Sequence, residues 1–245
     1  MRALIGQTRA EVYMTLRRGE TLLLTVGIPV VFLLFFSSVH VLQTPTAKAV
    51  DFFVPGILAL AVMSTAMVSL GIATGFERGY GVLKRLGSTP LGRPRLLSAK
   101  IATIVAVELV QAAVLVPVGF LLGWSPGGHG TGVAATGAVG VILLATVAFA
   151  GIGLFMAGLL KAEVNLAAAN GLYIVLLLLG GMVVPVTKLP GWVDSVAKLL
   201  PADALSAGLH AALGSGGSVP GLSWTVLAIW AAGAPLAAAL SFRWE

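Results

Sequence analysis

Six apolar stretches of about twenty residues each, nearly free of charge, constrain this chain more than any other feature. They run at about 21–42, 53–75, 101–123, 133–159, 166–185 and 222–242. A bilayer core of about 30 Å takes about 20 helical residues to cross. Backbone inside lipid must satisfy its own N–H and C=O groups, which leaves helices or closed barrels. Barrel strands alternate in runs of about ten residues, whereas these runs are continuous. Only 10% of the 245 residues are charged and 58% are hydrophobic, against about a quarter charged in a soluble domain. The expected fold class is therefore an all-α integral membrane protein with six transmembrane helices, a single domain over residues 1–245.

The basic residues supply a topology. Arg2, Arg9, Arg17, Arg18, Arg78, Lys84, Arg85, Arg93, Arg95, Lys100, Lys161 and Arg243 fall on one side of a six-span arrangement, and only Lys48, Lys188 and Lys198 on the other. Short basic loops stay cytoplasmic, so both termini of this multi-pass protein are expected in the cytoplasm. The net charge of +6 is explained by this topology and calls for no nucleic acid. The polar first twenty residues do not suit a cleavable signal, and the first apolar run exceeds the roughly 7–15 residues of a signal core, so it is expected to remain as a span. Cysteine is absent, which removes disulfides, thiolate metal sites and cysteine nucleophiles.

Three segments lie outside the spans. Residues 1–20 set Leu4, Ile5, Val12, Tyr13 and Leu16 among basic residues, the pattern of an amphipathic helix at the cytoplasmic interface. Residues 124–132 read as a tight external turn. Residues 186–221 read as a short external helical hairpin. In it Pro190 opens a helix with Val193, Val196, Ala197 and Leu200 on one face, Pro201 stops that helix, Asp203 caps a second one through Leu213, and Trp192 suits the membrane interface.

The remaining loop, residues 76–100, holds six of the fifteen basic residues and reads FERGYGVLKRLGSTPLGRPRLLSAK. Residues 77–86 form a short helical segment interrupted by Gly79 and Gly81 and ended by Gly87, Pro90 and Pro94. Leu83 and Leu86, three apart, share one face, with Glu77, Arg78, Lys84 and Arg85 around them. Such a piece packs into a groove on a soluble partner while its charges set the orientation. The competing interpretation is a loop whose bases only fix topology and touch lipid headgroups.

Glu77-Arg78, Gly81, Leu83, Arg85-Leu86, Thr89-Pro90-Leu91 and Arg93 match E-R-x-x-G-x-L-x-R-L-x-x-T-P-L-x-R. With the downstream Gly180-Gly181, Pro185, Leu189-Pro190-x-Trp192 and Leu199-x-Pro201, the chain resembles the type-2 ABC transporter permeases over nearly its whole length. The stretch Ala202-Asp203-Ala204 departs from the family, which often has an aromatic residue there. The resemblance implies that Glu77, Arg78, Gly81, Leu83, Lys84, Arg85, Leu86, Pro90 and Arg93 form a cytoplasmic coupling segment that docks on a separate ABC ATPase subunit. It also implies two permeases, identical or related, around a translocation path. ATP and Mg²⁺ would be used by the partner ATPase, and this chain would bind no cofactor and perform no catalysis. The exported cargo is expected to be hydrophobic or amphipathic, a drug, an antibiotic or a lipid.

Inside the spans, Glu108 and Gln111 lie three apart on one face of the third stretch, and Asn170 stands near the start of the fifth. A carboxylate at a helix centre is costly in lipid, by about 2.5–3.5 kcal/mol for Asp on insertion scales. These three residues are candidates for the translocation path, or for interhelical hydrogen bonding. Pro29, Pro117 and Pro235 are expected to kink their spans. His40, His129 and His210 are scattered and make no metal-ligand set. There is no G-x-x-x-x-G-K-[ST] loop, no H-E-x-x-H and no G-x-S-x-G. Alternative classes are an ion-gradient-driven secondary transporter, which would need more buried ionisable groups than Glu108, and an intramembrane enzyme or assembly scaffold.

Overall fold

A rod of 31 residues, Ala49–Gly79, runs through the middle of the helical bundle. At about 1.5 Å per residue it is about 46 Å long, longer than the roughly 30 Å of a hydrocarbon layer, so one end must project beyond it. The structure, a computed structural model, describes residues 6, 11–13, 19–38, 46, 48–87, 93–126, 131–183, 190–214 and 217–241. The side chains of 20–22, 86–87, 93–94 and 131–134 are outside that description.

The elements are α1 (Gly19–Ser38), α2 (Ala49–Met63), a π-helical turn (Ser64–Ser69), α3 (Leu70–Gly79), α4 (Val82–Gly87), α5 (Arg93–Leu121) and α6 (Thr131–Leu159). They continue with α7 (Ala162–Leu179), α8 (Gly191–Ala197), α9 (Pro201–Leu209), a second π-helical stretch (His210–Gly214) and α10 (Gly221–Ser241). No strand occurs among the described residues. Five helices are long and apolar enough to cross a membrane: Ala49–Gly79, Arg95–Leu121, Ala135–Leu159, Ala162–Leu179 and Gly221–Ser241. The expected first span corresponds to the shorter apolar helix Leu23–Ser38. Most of the expected interface helix over 1–20 lies outside the described residues, although 11–13 are helical.

The central rod is built from α2, the π-helical turn and α3. Apolar residues surround it on all sides, so nearly every residue of α2 is buried. Phe53, Ile57, Met63 and Met67 of the rod pack with Leu33, Phe149 and Leu154 as the largest fully buried side chains. Asp51 sits in the first turn of α2, where a carboxylate complements the helix dipole.

Helix α6 approaches its neighbours through glycine. A Cβ on Gly153 would lie 2.5 Å from the Met67 carbonyl oxygen, in the π-helical turn, and one on Gly151 would lie 2.5 Å from the Pro235 nitrogen of α10. Backbones can come this close only where no side chain intervenes, the means by which helices associate in lipid. Pro29, Pro117 and Pro235 all lie inside continuous helices.

The two short helices near the C-terminal end exist as expected, with one correction. Helix α9 begins with Pro201 at its first position and Leu200 as its N-cap, and no side chain caps it. Asp203 lies inside the first turn instead of capping the helix. Proline at the first helical position loses no hydrogen bond and has the right φ, so Pro201 starts the second helix where it had been expected only to end the first.

Candidate functional site

The projecting end of the central rod is held by its own charges. Phe76 to Gly79 finish α3, Tyr80 follows, and Gly81 adopts φ +71°. This left-handed turn needs glycine, because a Cβ there would strain the backbone. The chain then enters α4.

Arg78 donates to two carbonyls at the end of α6, through Nη1 to Gly158 O and through Nη2 to Leu160 O at 2.6 Å. The last carbonyls of a helix lack intrahelical partners, so a guanidinium there both satisfies them and meets the negative end of the dipole. Glu77 accepts from Lys100 of α5, Nζ to Oε2 at 2.7 Å, and Glu11 lies 3.8 Å from the same ammonium. Lys100 is only 3% exposed. Glu77 and Arg78 thereby join α3 to α5, to α6 and to the N-terminal segment.

Leu83 is 0% exposed and belongs to the core. The outward side of the turn is made instead by Tyr80, 75% exposed, with Val82, Lys84 and Arg85. Spacing alone had put Leu83 and Leu86 on an outward face. The left-handed turn at Gly81 resets the direction of the following helix, which a continuous period cannot anticipate. Leu86 lies in α4 with its side chain outside the description, as does the side chain of Arg93, and Pro90 lies outside the described residues. Beside the turn is a cleft of about 410 Å³ lined by Arg78, Lys84, Lys161 and Glu163 together with Gly79 and Gly81. Spacing gave no reason to expect Tyr80, Val82 or the α7 residue Glu163 at this end. The only available signal was their proximity to the flanking glycines and to Lys161.

Deeper in the bundle Glu108 and Gln111 line one crevice and Asn170 another. Gln111, 2% exposed, donates through Nε2 to Thr25 O of α1 at 2.9 Å and to Thr65 Oγ1 of the π-helical turn at 3.0 Å. It ties α5 to two other helices. Glu108, 7% exposed, accepts from Thr146 Oγ1 of α6 at 2.6 Å through Oε2, while its Oε1 is buried without a partner. Its side chain lines a crevice between α2, α5 and α6.

Asn170 lines a different cleft, of about 370 Å³, with Thr25, Phe32, Ser64, Ser69 and Tyr173. Asn170 bonds its own helix, Nδ2 to Leu166 O at 2.8 Å, whereas the cross-helix bond is made by Asn165, Nδ2 to Gly71 O at 2.8 Å. At about 100° per residue, position 170 lies about 120° around α7 from the centre of the buried face of Asn165, Ala169 and Leu176.

At the far end, α8 and α9 carry the other sequence candidates. Pro190 is the N-cap of α8 and Trp192 projects from it, highly exposed. Trp230 of α10 donates Nε1 to Leu199 O at 3.0 Å, fastening the hairpin to the bundle. Burial, reinforced by the charge of Asp194 and opposed by Lys198, pushes the Asp203 carboxyl up to about 6. His210 lies with its two ring nitrogens 2.8 Å from Ser206 O and 3.1 Å from Phe52 O, and burial lowers its pKa. Among the described residues no group of three or more His, Asp or Glu gathers as a metal site would require.

The family described as ABC-2 type transporter matches residues 6–213. A Bacillus subtilis (strain 168) protein named "Putative transport permease YvfS" is 25% identical over 210 residues, covering 82% of this chain and 81% of its own length.

Proposed function

Given that the chain belongs to the ABC-2 type transporter family, we propose that this transport permease is the membrane-spanning subunit of an ATP-driven exporter. It crosses a bacterial plasma membrane six times, with an interface helix before the first span and both termini in the cytoplasm. It pairs with a second permease, a copy or a relative, and takes its energy from separate ATPase subunits that use ATP and Mg²⁺. Its cargo is hydrophobic or amphipathic, a drug or a lipid-like molecule.

One observation carries the reading: the turn after α3 is braced to three other parts of the chain. A soluble partner that grips Tyr80, Val82, Lys84 and Arg85 pushes on α3 directly. It reaches α6 through Arg78 and α5 through Glu77–Lys100. A displacement of the turn is then conveyed as a rigid movement of several helices, which is what switching between two packed arrangements requires. The two arrangements need differ by only a few kcal/mol for a partner to bias them. The cleft containing Asn170 and Tyr173 lies beside the exposed apolar faces of α1 and α7, which include Ile28, Phe35, Ile174 and Leu178. A second permease covering those faces would enclose that cleft as the translocation path.

The test uses the whole chain purified from its native membrane. A co-purifying ATPase with a phosphate-binding loop is expected. Lys84→Glu combined with Arg85→Glu is expected to lower transport-coupled ATP hydrolysis at least tenfold while the protein still inserts. Unchanged coupled transport by that variant would refute the role. The chain has no cysteine, so Arg85→Cys gives a single labelling site. Reaction of that cysteine with an impermeant reagent from outside the cell would place the turn on the wrong side.

A further inference from the structure

The Glu108 crevice lies across the central rod from the Asn170 cleft and has a different chemistry. Its walls come from α2, α5 and α6 and are apolar apart from Glu108 and Gln111, and the Gln111 amide nitrogen is already taken by Thr25 and Thr65. Leu109, Val139 and Leu143 at its rim are exposed, so the crevice opens on the outer surface of the bundle. Its volume is about 120 Å³, similar to the engineered apolar cavity of about 150 Å³ that takes up benzene. One ring or a short hydrocarbon segment fits.

The polar content of the crevice is incomplete in a specific way. Glu108 Oε2 is held by Thr146, whereas Oε1 is buried with no partner. A buried acceptor without a donor costs about 1–3 kcal/mol, and the cost is removed by any ligand that brings one donor. Glu108 lies seven residues, about 10 Å, inside the apolar run that begins at Ile101, and so lies within the hydrocarbon layer. A phospholipid headgroup does not reach that depth. The ligand must be an apolar body with one small donor.

We propose that this crevice is a binding site, entered from the lipid phase, for a small apolar molecule that carries a single N–H or O–H donor. The donor bonds Glu108 Oε1 and the hydrocarbon fills the space against Leu58, Val62 and Ala112. Because the crevice lies beside α2 and α6, its occupant bears on the central rod without standing in the Asn170 cleft. The site rests on the geometry around Glu108 and is independent of ATP coupling.

The probes are benzyl alcohol and benzylamine, each carrying a photoreactive diazirine, and the donor-free toluene analogue. Full-length protein in nanodiscs is irradiated with each, and the labelled peptides are mapped by mass spectrometry. Labelling of the segments around Leu109 and Leu143 by the alcohol, the amine or both is expected to exceed that by the toluene analogue at least tenfold. Which of the two labels identifies the donor. Glu108→Leu is expected to abolish the difference, and Ala112→Phe, which fills the crevice and leaves the carboxyl in place, is expected to abolish the labelling. Equal labelling by the donor-free probe, or none in the wild-type crevice, overturns the proposal. So does undiminished labelling in Ala112→Phe, which keeps the test decisive if Glu108→Leu fails to fold.

Discussion

The end of α3 and the middle of α5 use charged and polar groups in opposite ways. At the end of α3, Arg78 bonds two carbonyls of α6, and Glu77 bonds a nearly buried Lys100. Midway along α5, Gln111 is similarly occupied by Thr25 and Thr65, yet Glu108, one turn away, leaves an oxygen unused. A polar group with all its partners inside the chain acts as a fastening between helices. The unused oxygen of Glu108 lines a crevice in the side of the bundle and is available to something outside the chain. Proximity in sequence does not distinguish the two, because Glu108 and Gln111 share one helix face by spacing. They differ in which neighbours the bundle brings to them.

The largest expected effect tests the fastening at α3. Lys100→Ala leaves Glu77 without its cation and opens a hole in a buried position. Removing one member of a buried pair costs about 3–5 kcal/mol, and with Glu77 partly exposed a loss near the lower figure is expected in thermal unfolding of the purified protein. Glu77→Ala/Lys100→Ala should be less unstable than the sum of the single variants. Additive losses would mean that the pair does not act as a unit.

A smaller pair of effects sharpens the contrast within α5. Gln111→Leu removes the donors to Thr25 O and Thr65 Oγ1 and is expected to cost about 1–3 kcal/mol. Glu108→Gln keeps the size of the side chain and an acceptor for Thr146, and is expected to change stability by less than about 1 kcal/mol. Equal losses in the two variants would erase the distinction between fastening and open group.

The smallest effect is electrostatic and lies in the hairpin of α8 and α9. Burial, and then the negative charge of Asp194, raise the Asp203 carboxyl to about 6 from an ordinary value of 3.8. Between these values the folded protein holds a proton that the unfolded chain has released. Stability from this group is therefore full below about 3.8 and falls as pH rises toward about 6. Asp203→Asn is expected to flatten that part of the pH profile and to be more stable than wild type at pH 7. An unchanged profile would show that Asp203 is solvated.

The helical fold was legible because lipid leaves the backbone few choices. Five of the six apolar runs are helices of crossing length, and the first is the shorter helix Leu23–Ser38. The hairpin was legible from Pro190 and Pro201, which bound short helices by removing donors. Side-chain roles were less legible. Leu83 reads as an outward apolar residue until the φ +71° turn at Gly81 redirects α4, and Asn170 reads as an interhelical donor until the buried face of α7 is known to run through Asn165. The path candidates Glu108, Gln111 and Asn170 divide between two sides of the central rod, and no one-dimensional pattern states which helices lie on either side.

Composition and run length alone thus settled that the chain is a bundle of apolar helices, because the hydrogen-bond demand of backbone in hydrocarbon is local and is met within each helix. The order of motifs pointed to the family for the same reason: they are read along the chain. Which polar groups are fastenings and which are open was decided only by packing. Glycines such as Gly153 let α6 come against the π-helical turn of the central rod, and such approaches set which donor finds which acceptor. Partnering of this kind depends on distances across helices that are far apart in sequence, and these exist only once the bundle has closed.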